Sequence, residues 1–193
     1  MTTALSVPFA RSPRVLEAAI IVCGLLTGFL TPPILNYIDG LGGFRVAYGI
    51  SLALGAVPFA VLIVVIARIA ADVSWLRTVM LGMATLVAAS VAISASANVN
   101  AALGTIAEPQ RELIGGPVGG VIGSGMMALA ARVLRIGPRH PLRWLPMVAV
   151  GTVLGLLLAL DVWLDSQNVW VLFPVWQGSI ALILLRTLQN AKR

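Results

Sequence analysis

The sequence predicts an all-α integral membrane protein, a six-helix transmembrane bundle with both its N and C termini in the cytoplasm. Three observations predict it: the composition, six long uncharged windows, and a one-sided distribution of Lys and Arg. Hydrophobic residues make up 59% of the 193 residues and charged residues only 10%, and the mean hydropathy is +0.99. A soluble domain carries about 25% charged residues, so this chain lacks the side chains needed to cover a water-facing surface.

Charged residues divide the chain into six uncharged windows: 18–38, 46–67, 78–107, 113–131, 144–160 and 166–185. A helix that crosses the hydrocarbon core needs about 20 apolar residues. Five windows fit one crossing each, and the third is too long for one crossing and turns small and polar in its second half. Within a single transmembrane domain, 1–193, the predicted spans are about 14–34, 45–68, 77–97, 110–134, 142–163 and 168–188.

Proline is expected to shape several of these helices. The Pro32–Pro33 pair is predicted to end the first helix at the membrane surface, because proline has no N–H to donate. Pro58 and Pro174 are predicted to lie inside the second and sixth helices, and Pro109 to begin the fourth.

Lys and Arg are concentrated on one side of the predicted topology. Eleven of the thirteen basic residues fall in the N-terminal tail, the second and fourth loops, and the C-terminal tail; only Arg45 and Arg111 fall on the other side. The positive-inside rule therefore predicts a multi-pass protein of the cell inner membrane with both termini cytoplasmic. This topology accounts for the net charge of +6 without a nucleic-acid partner.

Glycines repeat at i, i+4 spacing on three predicted helices, so small residues share one helix face. The fourth helix carries two such rows, and the first and fifth carry one pair each: Gly115, Gly119 and Gly123; Gly116, Gly120 and Ser124; Gly24 and Gly28; Gly151 and Gly155. Two interpretations stay open. The glycines pack helices together inside one bundle, or they form a pore-lining face or a glycine-zipper seam with another chain.

Gln177 is the strongest polar side chain that the topology places deep in the bilayer. It lies nine residues from Asn168 and nine from Arg186, and Trp176 and Gly178 flank it. Gln177 and Trp176 are predicted to contact a small polar solute, with Ser124 at similar depth. The alternative is an interhelical hydrogen bond worth about 1 kcal/mol that only holds the helix in place.

Polar and acidic side chains gather at the predicted outer ends of the helices. Asn36 and Asp161 are the two candidates there for solute contact, and both are expected at a solvated edge. An acidic vestibule would concentrate cations. The alternative is ordinary solvated loops, acidic because basic residues are kept on the inner side.

The sequence contains few residues that could act in catalysis or bind a metal ion. There is one cysteine, Cys23, expected to be a buried small hydrophobe, and one histidine, His140, predicted too far from Ser124 to serve as its base. We therefore expect no catalytic residue, no metal site and no cofactor.

The sequence favours a small inner-membrane transport protein or channel for a small solute. The alternative is a non-catalytic membrane subunit or assembly factor that packs through the glycine faces. The expected partners are the lipid bilayer and either further copies of the chain or another membrane protein. In size and helix count the chain is similar to the vitamin-binding subunits of energy-coupling transporters, a similarity of dimensions that carries over no site residue.

Overall fold

The computed structural model describes residues 12–40, 48–164 and 169–191, and in this part of the chain it is helical with no strand. Eight α-helices follow one another, with a short 3₁₀ turn, Pro141–Trp144, before the sixth. They are α1 (Pro13–Gly40), α2 (Tyr48–Gly55), α3 (Val57–Ala70), α4 (Trp75–Ala102), α5 (Glu108–Val133), α6 (Leu145–Gly155), α7 (Leu157–Trp163) and α8 (Leu172–Asn190). The predicted all-α class is therefore confirmed.

Four described segments are long and apolar enough to cross a membrane: Pro13–Ile38, Trp75–Ala102, Glu108–Val133 and Pro141–Trp163. They contain 23 to 28 residues each, within reach of the 30 Å hydrocarbon core at about 1.5 Å per residue. Large apolar side chains such as Val22, Leu26 and Phe29 lie exposed on the outer face of α1. Soluble proteins rarely expose so much contiguous apolar surface, so the chain is a membrane protein.

The helices close into a ring. α1 packs against α8, α8 against α6, α6 and α7 against α5, and α5 against α4. α2 and α3 close the ring between α4 and α1, and α3 also contacts α8 across the interior.

Arginines gather at one end of this ring, which we call the arginine end. The Arg186 guanidinium is 2.7 Å from the Glu17 carboxylate, which brings the end of α8 to the start of α1. Arg68 donates to the carbonyl of Val73, which joins the end of α3 to the start of α4. The opposite end, which we call the acidic end, carries Glu108 and Glu112 at the start of α5 and Asp161 in α7.

The apolar core fills only the arginine half of the bundle. Its fully buried members come from five helices and the connection after α5, and they include Ile63, Ile66, Leu81, Ala131, Ile136, Met147, Leu184 and Leu185. Packed apolar side chains therefore occupy the middle of the bundle toward the arginine end, apart from an open groove of about 340 Å³ beside Arg132 and Trp144.

Three proline predictions are wrong. α1 continues through Pro32 and Pro33 to Gly40, because proline's fixed φ is compatible with a helix and transmembrane helices tolerate the lost hydrogen bonds and the crowded turn. Pro58 and Pro174 do not lie in helix interiors: α3 begins at Val57 and α8 at Leu172, so each proline sits in a first turn, where its missing N–H costs nothing.

The loop predicted after residue 97 is also shorter than expected. α4 continues to Ala102, because its small side chains pack closely against the glycines of α5. Several residues that carried the charge and loop predictions lie outside the described residues: Arg11, Arg45, Asn168, Lys192 and Arg193.

Candidate functional site

A cavity of about 310 Å³ occupies the acidic half of the bundle. Residues from several helices of the ring line it, among them Thr31 on α1, Leu52 on α2, Leu158 on α7 and Phe173 on α8. Most of the lining is apolar, which is typical of small-molecule sites in proteins.

Three large side chains form the floor of the cavity, on the side of the arginine end. The rings of Phe59 and Trp176 meet edge to face, with centroids 5.8 Å apart and an interplanar angle of 62°. The indole N–H of Trp176 donates to the carbonyl of Gly151 at 3.3 Å, and Met127 fills the remaining space. Below this floor begins the packed apolar core.

Gln177 lies in the cavity wall and is only 3% exposed. Its amide nitrogen donates to the hydroxyl of Thr31 at 3.0 Å, across the contact between α8 and α1. Its amide oxygen is buried and accepts no hydrogen bond within the described chain. A buried acceptor without a donor costs about 1–3 kcal/mol, so a ligand N–H or O–H at this oxygen would recover that energy.

Near the acidic end, Asn100 and Glu112 line the same cavity. The Asn100 amide nitrogen donates to the Glu112 carboxylate at 2.5 Å, and Glu112 is only 8% exposed. Gly115 makes room for this pair, because a Cβ there would overlap the Asn100 amide. The pair sets a carboxylate into the wall of an otherwise apolar space.

Asp161 does not line the cavity, and its predicted solvated position is wrong. The side chain is fully buried and accepts hydrogen bonds from the backbone N–H groups of Val171 and Leu172, at 2.9 and 2.8 Å. The carboxylate thus satisfies backbone donors at the start of α8. Asp161 fixes the position of that helix.

Asn36 and Ser124 also lie away from the cavity. Asn36 is exposed, five residues beyond Thr31 on α1. Ser124 is buried against α6, and its hydroxyl donates to the carbonyl of Gly120 at 2.6 Å. Of the five predicted solute contacts, the structure therefore places Gln177 and Trp176 together at the cavity.

Most of the predicted packing glycines hold helices together within the chain. A Cβ on Gly116 or Gly120 would overlap the carbonyl oxygen of Gly155 or Gly151, so α5 and α6 touch backbone to backbone. The same holds between α1 and α8, where Gly24 lies against Gly178 and Gly28 against Pro174.

Gly119 and Gly123 also line the cavity, but they face α4 rather than α6. A Cβ on either would come within 3.2 Å of α4, at the carbonyl oxygen of Ala92 and at the Ala92 side chain respectively. The absence of side chains here lets α4 and α5 approach closely beside the cavity.

Sequence reasoning did not assign Thr31 or Phe59 to a binding site, and it placed Asn100 and Glu112 only in the polar and acidic group at the outer edge. A signal was present for Glu112: together with Gly116 and Gly120 it continues an i, i+4 row, so all three share the cavity-facing side of α5. Phe59 and Thr31 carried no such signal, because their partners lie on helices distant in sequence.

Two further predictions concern reactive groups. Cys23 is exposed on the outer face of α1, so its predicted burial is wrong; that face is apolar and suits contact with lipid. Among the described residues, no three His, Cys, Asp or Glu side chains lie close enough to hold a metal ion.

Comparisons with known proteins give no family for this chain. No family model, no curated protein and no solved structure matches it. The functional argument therefore rests on the geometry of the cavity.

Proposed function

We propose that this protein is a multi-pass membrane protein that binds a small solute in the acidic-half cavity and takes part in its transport. The observation that carries the proposal is the cavity itself, an apolar space of about 310 Å³ whose wall includes Gln177, a buried side chain whose amide oxygen accepts no hydrogen bond within the described chain. An interhelical hydrogen bond alone would need only the amide nitrogen of Gln177.

The shape of the bundle supports a transport role. The cavity extends from the floor at Phe59 and Trp176 toward the acidic end, while the arginine half is filled by packed apolar side chains. A binding site closed on one side of the membrane is what one state of an alternating-access transporter requires. Rearrangement of the aromatic floor would open the other side.

The orientation follows from the charges. Of the described arginines, Arg111 lies at the acidic end and eight lie at the arginine end. The eight are Arg14, Arg68, Arg77, Arg132, Arg135, Arg139, Arg143 and Arg186. If the protein lies in the inner membrane of the cell, the positive-inside rule places the arginine end on the cytoplasmic side. In this arrangement α2 with α3, and α8, supply the fifth and sixth crossings.

The alternative role, a non-catalytic subunit or assembly factor, would have to use another surface than the paired glycine faces. The glycines of α5 and α6, and those of α1 and α8, are already packed against each other inside the chain. A partner or a second copy would therefore contact the apolar outer faces of the helices.

Native mass spectrometry of the protein, extracted gently from its own membrane, tests the proposal. We expect a small molecule retained by the wild type and lost from Gln177→Leu. Gln189→Leu is the matched control, because Gln189 lies on the same helix twelve residues away and outside the cavity lining. Once the ligand is identified from its mass, its flux into proteoliposomes should be similar for the wild type and Gln189→Leu and should be lost for Gln177→Leu.

Two results would count against the proposal. Unchanged ligand retention and flux in Gln177→Leu would remove this side chain from the site. A protein with no retained ligand, isolated in a stable complex with another membrane protein, would favour the subunit role.

A further inference from the structure

The charge of the cavity narrows the class of solute. Of the residues that line it, Glu112 is the one ionisable group, and no Lys, Arg or His lines it in the described chain. The preceding residue, Arg111, directs its guanidinium to Glu108 at 2.6 Å, and Arg111 is not part of the cavity lining. The Glu112 carboxylate therefore faces the cavity without a cationic partner from the described side chains.

The surroundings of Glu112 do not supply a positive charge from other helices either. Asn100 on α4 offers a neutral amide, and Asp161, the charged residue of α7, is itself a carboxylate. At this end the described carboxylates of Glu108, Glu112 and Asp161 outnumber the single guanidinium of Arg111. An anionic solute would be repelled here, and a cation would be attracted.

The rest of the lining suits an apolar body. Phe59, Phe173 and Trp176 present aromatic rings, and Leu52 and Leu158 present aliphatic surface. Aromatic faces also attract an ammonium group that comes within about 6 Å of the ring centroid. The unpaired oxygen of Gln177 provides an acceptor for an N–H or O–H donor.

The cavity extends along α5 from Glu112 to the level of the Trp176 ring. Glu112 and Gly123 both line the cavity and lie eleven residues apart on α5, which corresponds to about 16 Å along the helix. Gly123 is near the Trp176 ring, so the cavity runs from the carboxylate to the aromatic floor.

Building on the proposed function, we infer that the solute is an organic cation: an ammonium group paired with Glu112 and a mainly apolar body held against the aromatic rings. Removing an ammonium group from water is costly unless an opposite charge receives it, and Glu112 is the carboxylate in the cavity wall that does so.

The test uses three probes with the same apolar body and different charge: phenylbutylamine, phenylbutanol and phenylbutyrate. Their binding to the full-length protein in nanodiscs is measured by equilibrium dialysis, and binding to empty nanodiscs is subtracted. We expect the amine to bind at least about tenfold more tightly than the alcohol, equivalent to about 1.4 kcal/mol, and the carboxylate to bind most weakly.

Glu112→Gln should reduce the affinity for the amine to that for the alcohol and leave the alcohol unchanged. The glutamine oxygen can still accept the hydrogen bond from Asn100, so the wall is retained. Glu108→Gln is the matched control, because Glu108 lies one turn away, is exposed and points outside the cavity. It should leave all three affinities unchanged.

The outcomes separate this inference from the proposed function. Equal affinities for amine and alcohol, or an unchanged amine affinity in Glu112→Gln, would overturn the cation assignment while leaving the cavity as a binding site. If none of the three probes binds above empty nanodiscs, the cation assignment is overturned. Absence of any ligand in the native mass spectrum would in addition remove the proposed function.

Discussion

The amide nitrogen of Gln177 donates to the hydroxyl of Thr31 at 3.0 Å, which connects two helices that are 146 positions apart in sequence. The Thr31 hydroxyl in turn donates to the carbonyl of Thr27 at 3.1 Å, one turn earlier on α1. This short chain of hydrogen bonds fixes one half of the Gln177 amide, and the buried oxygen of the other half accepts no hydrogen bond within the described chain.

The first prediction concerns this hydrogen bond. Thr31→Val should lower the free energy of unfolding by about 1–3 kcal/mol, because it leaves the buried Gln177 nitrogen without an acceptor. Gln177→Leu should cost less, since the Thr31 hydroxyl keeps its bond to Thr27. Reversible unfolding of both single variants and the double variant gives the coupling, which averages about 0.6 kcal/mol for such pairs in membranes. Additive single effects would contradict the bond.

The second prediction concerns the contact between α5 and α6. Gly120→Ala should destabilise the protein, because the new Cβ would overlap the carbonyl oxygen of Gly151, and backbone cannot move aside cheaply. Gly125→Ala on the same helix is the control, since no atom lies within 4 Å of a Cβ there. It should be neutral or stabilise by up to about 1 kcal/mol through helix propensity.

Thermal unfolding in detergent would measure both glycine variants. A Gly120→Ala protein as stable as Gly125→Ala would mean that α5 and α6 are farther apart than the structure places them.

The third prediction tests whether Asp161 stabilises the start of α8 or contacts the solute. Asp161→Asn should lower stability by about 1–3 kcal/mol, because an amide NH₂ would face one of the two backbone N–H donors that the carboxylate accepts. Its solute affinity, measured on the folded fraction, should stay at the wild-type value, since Asp161 does not line the cavity. A lost affinity with unchanged stability would instead return Asp161 to the solute contacts.

Composition and charge pattern were sufficient to predict a helical membrane protein, because both depend on single residues and on windows along the chain. The candidate site was harder to predict. Gln177 and Trp176 could be found from depth and residue type alone, and both lie at the cavity. The prediction for Asp161 was wrong because its burial depends on the backbone N–H groups at the start of α8. The charge pattern of the sequence does not predict the position of those groups.

The prolines show the same limit on a smaller scale. A proline is compatible with the first turn of a helix and tolerated as a kink inside one, so its presence does not decide where a helix begins. Pro174 was predicted inside a helix, but α8 begins only two residues before it. The pairing of Glu112 with Asn100 could not be predicted from the sequence, because it needs the approach of α4 to α5 that Gly115 permits.

The last prediction concerns the orientation of the bundle. In a Cys23→Ser background, Thr105→Cys and His140→Cys each place one thiol at an exposed position at opposite ends. Thr105 lies in the connection between α4 and α5 at the acidic end, and His140 lies before the 3₁₀ turn at the arginine end. If the arginine end is cytoplasmic, a membrane-impermeant maleimide added to intact spheroplasts should label Thr105→Cys at once and label His140→Cys only after the membrane is permeabilised. The reverse pattern would place the cavity on the cytoplasmic side, and labelling of both thiols in intact spheroplasts would contradict a bundle that separates them across the membrane.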